Sequence, residues 1–263
     1  MKIKKLTFTL AFIITIAAMF FACGAPVKFP PPAEGRAAFE VSGGAVLIGK
    51  FVPPATQDKL TFIMLHGLAS AKEEWLGFAA QMEKEGYGYF LVDLRGHGES
   101  TKDKSGREVS YKYFLQPAPD SEWSKMPDDL AAAVKFLKKK KGLPENKIGL
   151  IGASLGANVC LIYAAKNKNI PLTILLSPGW EYAGLTTGEG AKNYGKRPVL
   201  IASSPLDKYA YESSGVIFDT AKRGGAETAF IPGEGARHGV QMFDGPSGKT
   251  FSKKLIDWII LKR

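Results

Sequence analysis

The sequence predicts an α/β fold, with about eight strands in a mostly parallel, twisted sheet and helices on both of its faces. Three observations predict it. Short runs of β-branched and aliphatic residues alternate along the chain with longer segments whose apolar residues recur at helical spacing. Glycine, proline and aspartate gather at the junctions between them. One junction, Gly152-Ala153-Ser154-Leu155-Gly156, joins a strand to a helix with no intervening loop. A length of 263 residues suffices for one large domain of this class and is short for two.

From the amino-terminal side, residues 37–42 and 45–52 flank Gly43 and Gly44 and read as an antiparallel hairpin. After Pro53 and Pro54, residues 60–65 form a buried strand that runs into His66, Gly67 and Leu68. Residues 72–84 are an amphipathic helix stopped by Gly86, and residues 89–94 are the next strand, leading into Asp93-Leu94-Arg95-Gly96-His97-Gly98-Glu99-Ser100. Residues 101–125 are polar and read as an irregular surface excursion. Pro127 opens a helix to about Lys140, with Asp128 and Asp129 in the first turn, where carboxylates complement the helix dipole. Residues 148–151 form the strand before Gly152, and Leu155, Val159, Ile162 and Tyr163 fall on neighbouring turns of the helix after it. The remainder reads as a strand (172–176), a loop (177–197), a strand (198–202), a helix (209–223), a strand (226–231) and a final amphipathic helix (249–261).

In an open sheet of this kind, chemistry belongs at the carboxyl ends of the strands. A strand running straight into a helix puts its apex residue in a strained backbone with the side chain pushed outward, and small neighbours let the two elements approach. Ser154 occupies that apex. A serine hydroxyl is a weak nucleophile unless a base takes its proton and an acid holds the base. Of the three histidines, only His238 follows Ser154, in the loop after the last strand, and Asp207 ends a strand between them. Taken singly, His238 reads as an exposed loop residue and Asp207 as a helix N-cap. All three fall at one edge of one sheet, which makes them the candidate catalytic set. Asp219, inside a predicted helix, and Asp244, beyond the histidine, are rival acids that fit the order less well. His66 and His97 are expected to be structural, and Asp93 and Arg95 to pair with each other locally.

His66-Gly67, the 93–100 segment, Gly152 to Gly156, Asp207 and His238-Gly239 together resemble the α/β-hydrolase fold superfamily, from about residue 37 to the C-terminus. The small lidless esterase, dienelactone-hydrolase and serine-aminopeptidase-like branches are the most similar. The resemblance implies Ser154 as nucleophile, His238 as general base, Asp207 as its orienting acid, and no cofactor or metal. It implies an oxyanion hole from the backbone N–H groups of Leu68 and Leu155. Many relatives insert a helical cap after the strand at 172–176. Residues 177–197 are too few for one, so no cap domain is expected, and Trp180, Tyr182 and Leu185 are candidates to line a shallow, open pocket. The leading expectation is a serine hydrolase, carboxylesterase-like, acting on esters with short or accessible acyl groups. The alternatives are an aminopeptidase-like serine peptidase, for which Glu181 is the one acidic candidate near the mouth, and a non-catalytic envelope binding module on the same fold.

Residues 1–22 carry basic residues, then an apolar run over 6–21, and read as a secretory signal. The ending resembles a bacterial lipoprotein signal, with Cys23 as the lipidated first residue of the mature chain; conventional cleavage near Ala25 is the alternative. Residues 23–36, rich in glycine and proline, read as an extended tether, leaving 37–263 as the folded domain. These readings place the protein across the bacterial inner membrane, held at the cell envelope through Cys23. Cys160, the one other cysteine, lies on the apolar side of its helix and is expected to be a buried, inert thiol. The net charge is +10. The densest cluster, Lys138 to Lys141, closes a helix, where cations complement the dipole. No stripe of interleaved aromatic and basic residues suggests a nucleic-acid partner, although the positive surface suits anionic substrates or an anionic membrane.

Overall fold

The computed structural model describes residues 35–262; the predicted signal, Cys23 and all but the last two residues of the tether lie outside them. Strand β1 (Arg36–Glu40) pairs antiparallel with β2 (Ala45–Val52), as the two glycines between them predict. There follow β3 (Thr61–Leu65), a 3₁₀ turn (Lys72–Trp75) running into α1 (Leu76–Lys84), β4 (Gly88–Val92), and a two-residue β5 (Lys102–Asp103). Helix α2 (Met126–Lys141) leads to β6 (Ile148–Ala153) and α3 (Leu155–Lys166), then β7 (Thr173–Leu176). A small hairpin, β8 (Glu181–Tyr182) and β9 (Leu185–Thr186), precedes α4 (Gly188–Lys192). The chain ends with β10 (Pro198–Ser203), α5 (Lys208–Arg223), β11 (Glu227–Pro232) and α6 (Gly245–Leu261).

Eight strands run in the order β1-β2-β4-β3-β6-β7-β10-β11, with β5 paired to the edge of β2. From β4 to β11 every pairing is parallel. The chain winds outward from β3 to β4 and then crosses back to β6 on the other side of β3. That reversal opens a crevice above the carboxyl ends of β3 and β6. Alternation along the strands divides the core in two. Ile63, Leu65 and Leu150 face a cluster with Leu130, Val134 and Val159 of α2 and α3. Phe62, Met64 and Ile151 face the other cluster, with Trp75, Phe78, Leu255 and Trp258 on the α1 and α6 side. Each such side chain contributes about 1.5–3 kcal/mol on burial, so the sheet is fixed from both faces.

Two excursions differ from expectation. Residues 101–125 are not wholly irregular: β5 adds to β2, and a 3₁₀ turn at Tyr111–Tyr113 stacks Tyr111 on His97 at 4.2 Å. Residues 177–197 are not a plain loop either. Asn158, fully buried in α3, donates to Leu185 O at 2.8 Å and accepts from Gly179 N–H at 3.1 Å, which holds the β8–β9 hairpin against the core. No separate cap domain stands over the sheet among the described residues.

The expected Asp93–Arg95 pair does not form. Asp93 is buried and accepts from the Lys72 backbone N–H (2.7 Å), Lys72 Nζ (2.8 Å) and the Glu99 N–H (2.9 Å). Arg95 turns instead to Asp129, donating from Nε (2.6 Å) and Nη2 (2.5 Å), and to Glu122. A planar guanidinium needs a carboxylate in its own plane, and α2 supplies it. Burial pushes the Asp129 carboxyl up to about 6 against the pull of Arg95, so it remains ionised at neutral pH.

Candidate active site

Ser154 follows β6 directly and has φ 52° and ψ −119°, a strained backbone for a residue with a side chain. Its N–H donates to Leu176 O at 2.8 Å, tying the turn to β7. The two flanking glycines are required by contact. A Cβ on Gly152 would lie 2.3 Å from Gly156 O, and one on Gly156 would lie 2.4 Å from Leu65 O. Strand, turn and helix therefore approach only without those side chains. Ser154 retains 9% of its surface and lies at the crevice floor.

The wall beside it is the loop after β3. His66 is fully buried and its Nε2 accepts the Leu94 N–H at 3.0 Å. An amide N–H only donates, so Nε2 carries the lone pair and Nδ1 carries the proton, donated to Gly67 O at 2.7 Å. Burial holds the imidazole neutral, with its pKa lowered to about 3. On the other side of the loop, Glu74 accepts from Gly67 N–H at 3.1 Å and from the Ser70 hydroxyl. With the Gly67 carbonyl and N–H both engaged, the loop turns against Ser154: a Cβ on Gly67 would sit 3.4 Å from Ser154 Cβ. The backbone N–H groups of Leu68 and Leu155 have no acceptor among the described residues. They are the pair expected to form an oxyanion hole.

His66 yields a prediction. Its ordinary pKa near 6.5 falls to about 3 on folding, so the unfolded chain binds the extra proton between those values and stability rises with pH there. The contribution is complete above about pH 6.5 and is lost at up to about 1.4 kcal/mol per pH unit as the pH falls towards 3. Urea midpoints measured from pH 7 to 4 are expected to decline for the native chain and to decline less steeply for His66→Gln. Parallel slopes would remove His66 as the cause.

Asp207 and His238 meet across the far side of the crevice. Asp207 stands at the N-cap position of α5, but its side chain makes no capping bond. Oδ2 lies instead 2.7 Å from His238 Nδ1. The loop bearing His238 is fastened to the sheet edge: Gly239 N–H donates to Ser177 Oγ at 2.9 Å, and a Cβ on Gly239 would be 3.2 Å from Ala153 Cβ. The His238 N–H donates to Gln241 Oε1 at 3.1 Å. Asp219, inside α5, and Asp244, at the start of α6, are exposed and neither bonds to His238.

Of the three candidate pocket residues, Tyr182 reaches the site. Its ring stands edge-on to His238 at 6.3 Å and to Tyr209 at 5.7 Å. Burial and the Asp207 charge push the Tyr182 phenol up to about 12, so it stays protonated. Trp180 lies half-open at the rim against Gly188, and Leu185 is buried in the core under the hairpin. Sequence reasoning missed Glu74, whose carboxylate is held above its ordinary range by burial and feels the His238 charge. A carboxylate in the first turn after the His66-Gly67 loop was the signal that could have revealed it.

A family model described as "alpha/beta hydrolase fold" matches residues 61–189. The chain has an α/β-hydrolase fold. Among curated proteins, a thiohydrolase (aneE) of Aspergillus aculeatus is 27% identical over 136 residues, which span 51% of this chain and 37% of that protein's length. Among solved structures, a ferulic acid complex of Est1E from Butyrivibrio proteoclasticus superposes with TM-score 0.65 at 16% identity, covering 86% of this chain and 98% of its own. A dienelactone hydrolase from Anabaena variabilis gives TM-score 0.64 at 16% identity, covering 86% and 96%. These neighbours share the fold.

Proposed function

We propose that this hydrolase cleaves carboxylic esters of short or accessible acyl groups through an acyl-enzyme on Ser154, and that it is exported and held at the bacterial envelope by lipid on Cys23. The observation that carries the catalytic reading is the 2.7 Å Asp207–His238 bond at the same sheet edge as an elbow serine and two backbone N–H groups without acceptors. In this reading Asp207 keeps the proton on His238 Nδ1, leaving Nε2 free to take the Ser154 proton as Oγ attacks the carbonyl carbon. The Leu68 and Leu155 N–H groups receive the developing oxyanion, each donor worth about 3–4 kcal/mol. His238 returns the proton to the leaving alcohol, and water then releases the acid by the same route.

The thiohydrolase relative favours a second reading, in which the scissile bond is a thioester. The acyl-enzyme is identical, and only the leaving group changes. Purified protein offered nitrophenyl esters of increasing chain length, matched thioesters and peptide amides is expected to prefer acetate to butanoate esters. A preference for octanoate and longer chains would refute the accessible-acyl part. Failure of the folded protein to take a fluorophosphonate label would refute the serine mechanism and favour a binding module.

A further inference from the structure

The pole opposite the crevice gathers the amino-terminal ends of the parallel strands and the carboxyl ends of the helices. Helix α2 ends there in Lys138 to Lys141. Lys138 is paired with Glu145, and Lys141 lies over the Phe51 ring at 5.0 Å, whereas Lys139 and Lys140 are exposed and bond to no carboxylate among the described residues. Lys147 reaches across to Asp58 O at 2.9 Å. A cleft beside it is lined by Lys59, Lys147 and Lys262 together with Asp58 and with Ile260, which is 47% exposed; Lys262 is paired with Glu227, and Lys59 lies over the Tyr87 ring at 4.6 Å. A helix terminus needs one or two cations to complement its dipole. Four consecutive lysines, joined by others from three separate segments and interspersed with exposed apolar residues, exceed that need.

The described chain begins level with the middle of β4: the Phe51 N–H donates to Gly35 O at 2.7 Å, Phe51 pairs in register with Phe90, and β1 runs from there towards the crevice pole. Cys23 is twelve residues before Gly35. Such a segment reaches at most about 40 Å, while a domain of this size is about 45 Å across. From mid-sheet that reach spans either half of the domain, so the tether admits both poles and the charge of the surface decides between them.

We propose that this pole is a docking face for anionic phospholipid headgroups, so that the crevice opens away from the bilayer. The orientation rests on the charge of this pole and is independent of the Cys23 anchor reading given above. Aliphatic Ile260 and Leu261 at its rim suit the interfacial zone, and basic side chains near an anionic surface gain about five-fold in affinity each.

The test uses the full chain as the cell processes it, purified in detergent and transferred to floated vesicles of phosphatidylcholine alone or rich in phosphatidylglycerol. The native chain is expected to favour the anionic vesicles, with salt weakening the preference. Lys139→Glu/Lys140→Glu/Lys141→Glu is expected to lose on the order of 100-fold of that preference, with hydrolysis of a soluble ester unchanged. Equal partition to both vesicles, or a preference that survives the triple variant, would overturn the proposal. Displacement by duplex DNA at equal phosphate concentration would also overturn it, in favour of a nucleic-acid surface. The mass of the amino-terminal peptide reports the anchor separately. An unlipidated chain that still prefers anionic vesicles removes the anchor and leaves the face standing; a lipidated chain indifferent to headgroup charge does the reverse.

Discussion

Ser154→Ala is expected to lower kcat for a soluble nitrophenyl ester by about 10⁴-fold or more, with KM and melting temperature close to native. The residue lies at φ 52°, and alanine must hold the same strained backbone, so the substitution neither relieves nor adds strain there. The glycines that fit strand to helix, the Leu176 bond to the Ser154 N–H and the two unpaired N–H groups all remain. What disappears is the oxygen proposed to form the covalent intermediate. The residual rate would come from the Leu68 and Leu155 donors alone. Steady-state kinetics on the folded variant, with loss of fluorophosphonate labelling, measures this directly. A fall of less than about ten-fold, or 1.4 kcal/mol, would take Ser154 out of the reaction.

Asp207→Asn is expected to cost about 10⁴-fold in kcat at neutral pH. The volume hardly changes, and α5 loses no cap because the carboxylate does not cap it. The bond to His238 Nδ1 at 2.7 Å is what changes. An amide presenting N–H to Nδ1 stabilises the tautomer with its proton on Nε2, which then has no lone pair to accept the serine proton. Asp219→Asn and Asp244→Asn are expected to keep activity within about two-fold, since both side chains are exposed surface positions. If Asp244→Asn matched Asp207→Asn in its loss, the acid would have been misassigned.

Much of this was legible because it is local. The 148–153 strand and the 155–166 helix announce themselves by period, and the glycines at 152 and 156 mark the close approach between them. The Ser154, Asp207, His238 order follows from strands that end in loops at one edge. What the sequence hid depends on distant partners. Lys72 and Glu74 read as the polar face of one amphipathic helix, yet Lys72 answers to Asp93 and Glu99, and Glu74 to the loop after β3. The first turn of that helix is 3₁₀. Likewise nothing periodic in residues 177–197 signals a hairpin. It forms because a single buried amide, Asn158, waits beneath it.

That amide has a further effect. Through Asn158 the helix that starts at Ser154 also holds the strand pair carrying Tyr182, so floor and wall are joined by hydrogen bonds. The two surfaces are thereby coupled, and a substitution that frees Asn158 from the hairpin is felt on both sides of Ser154.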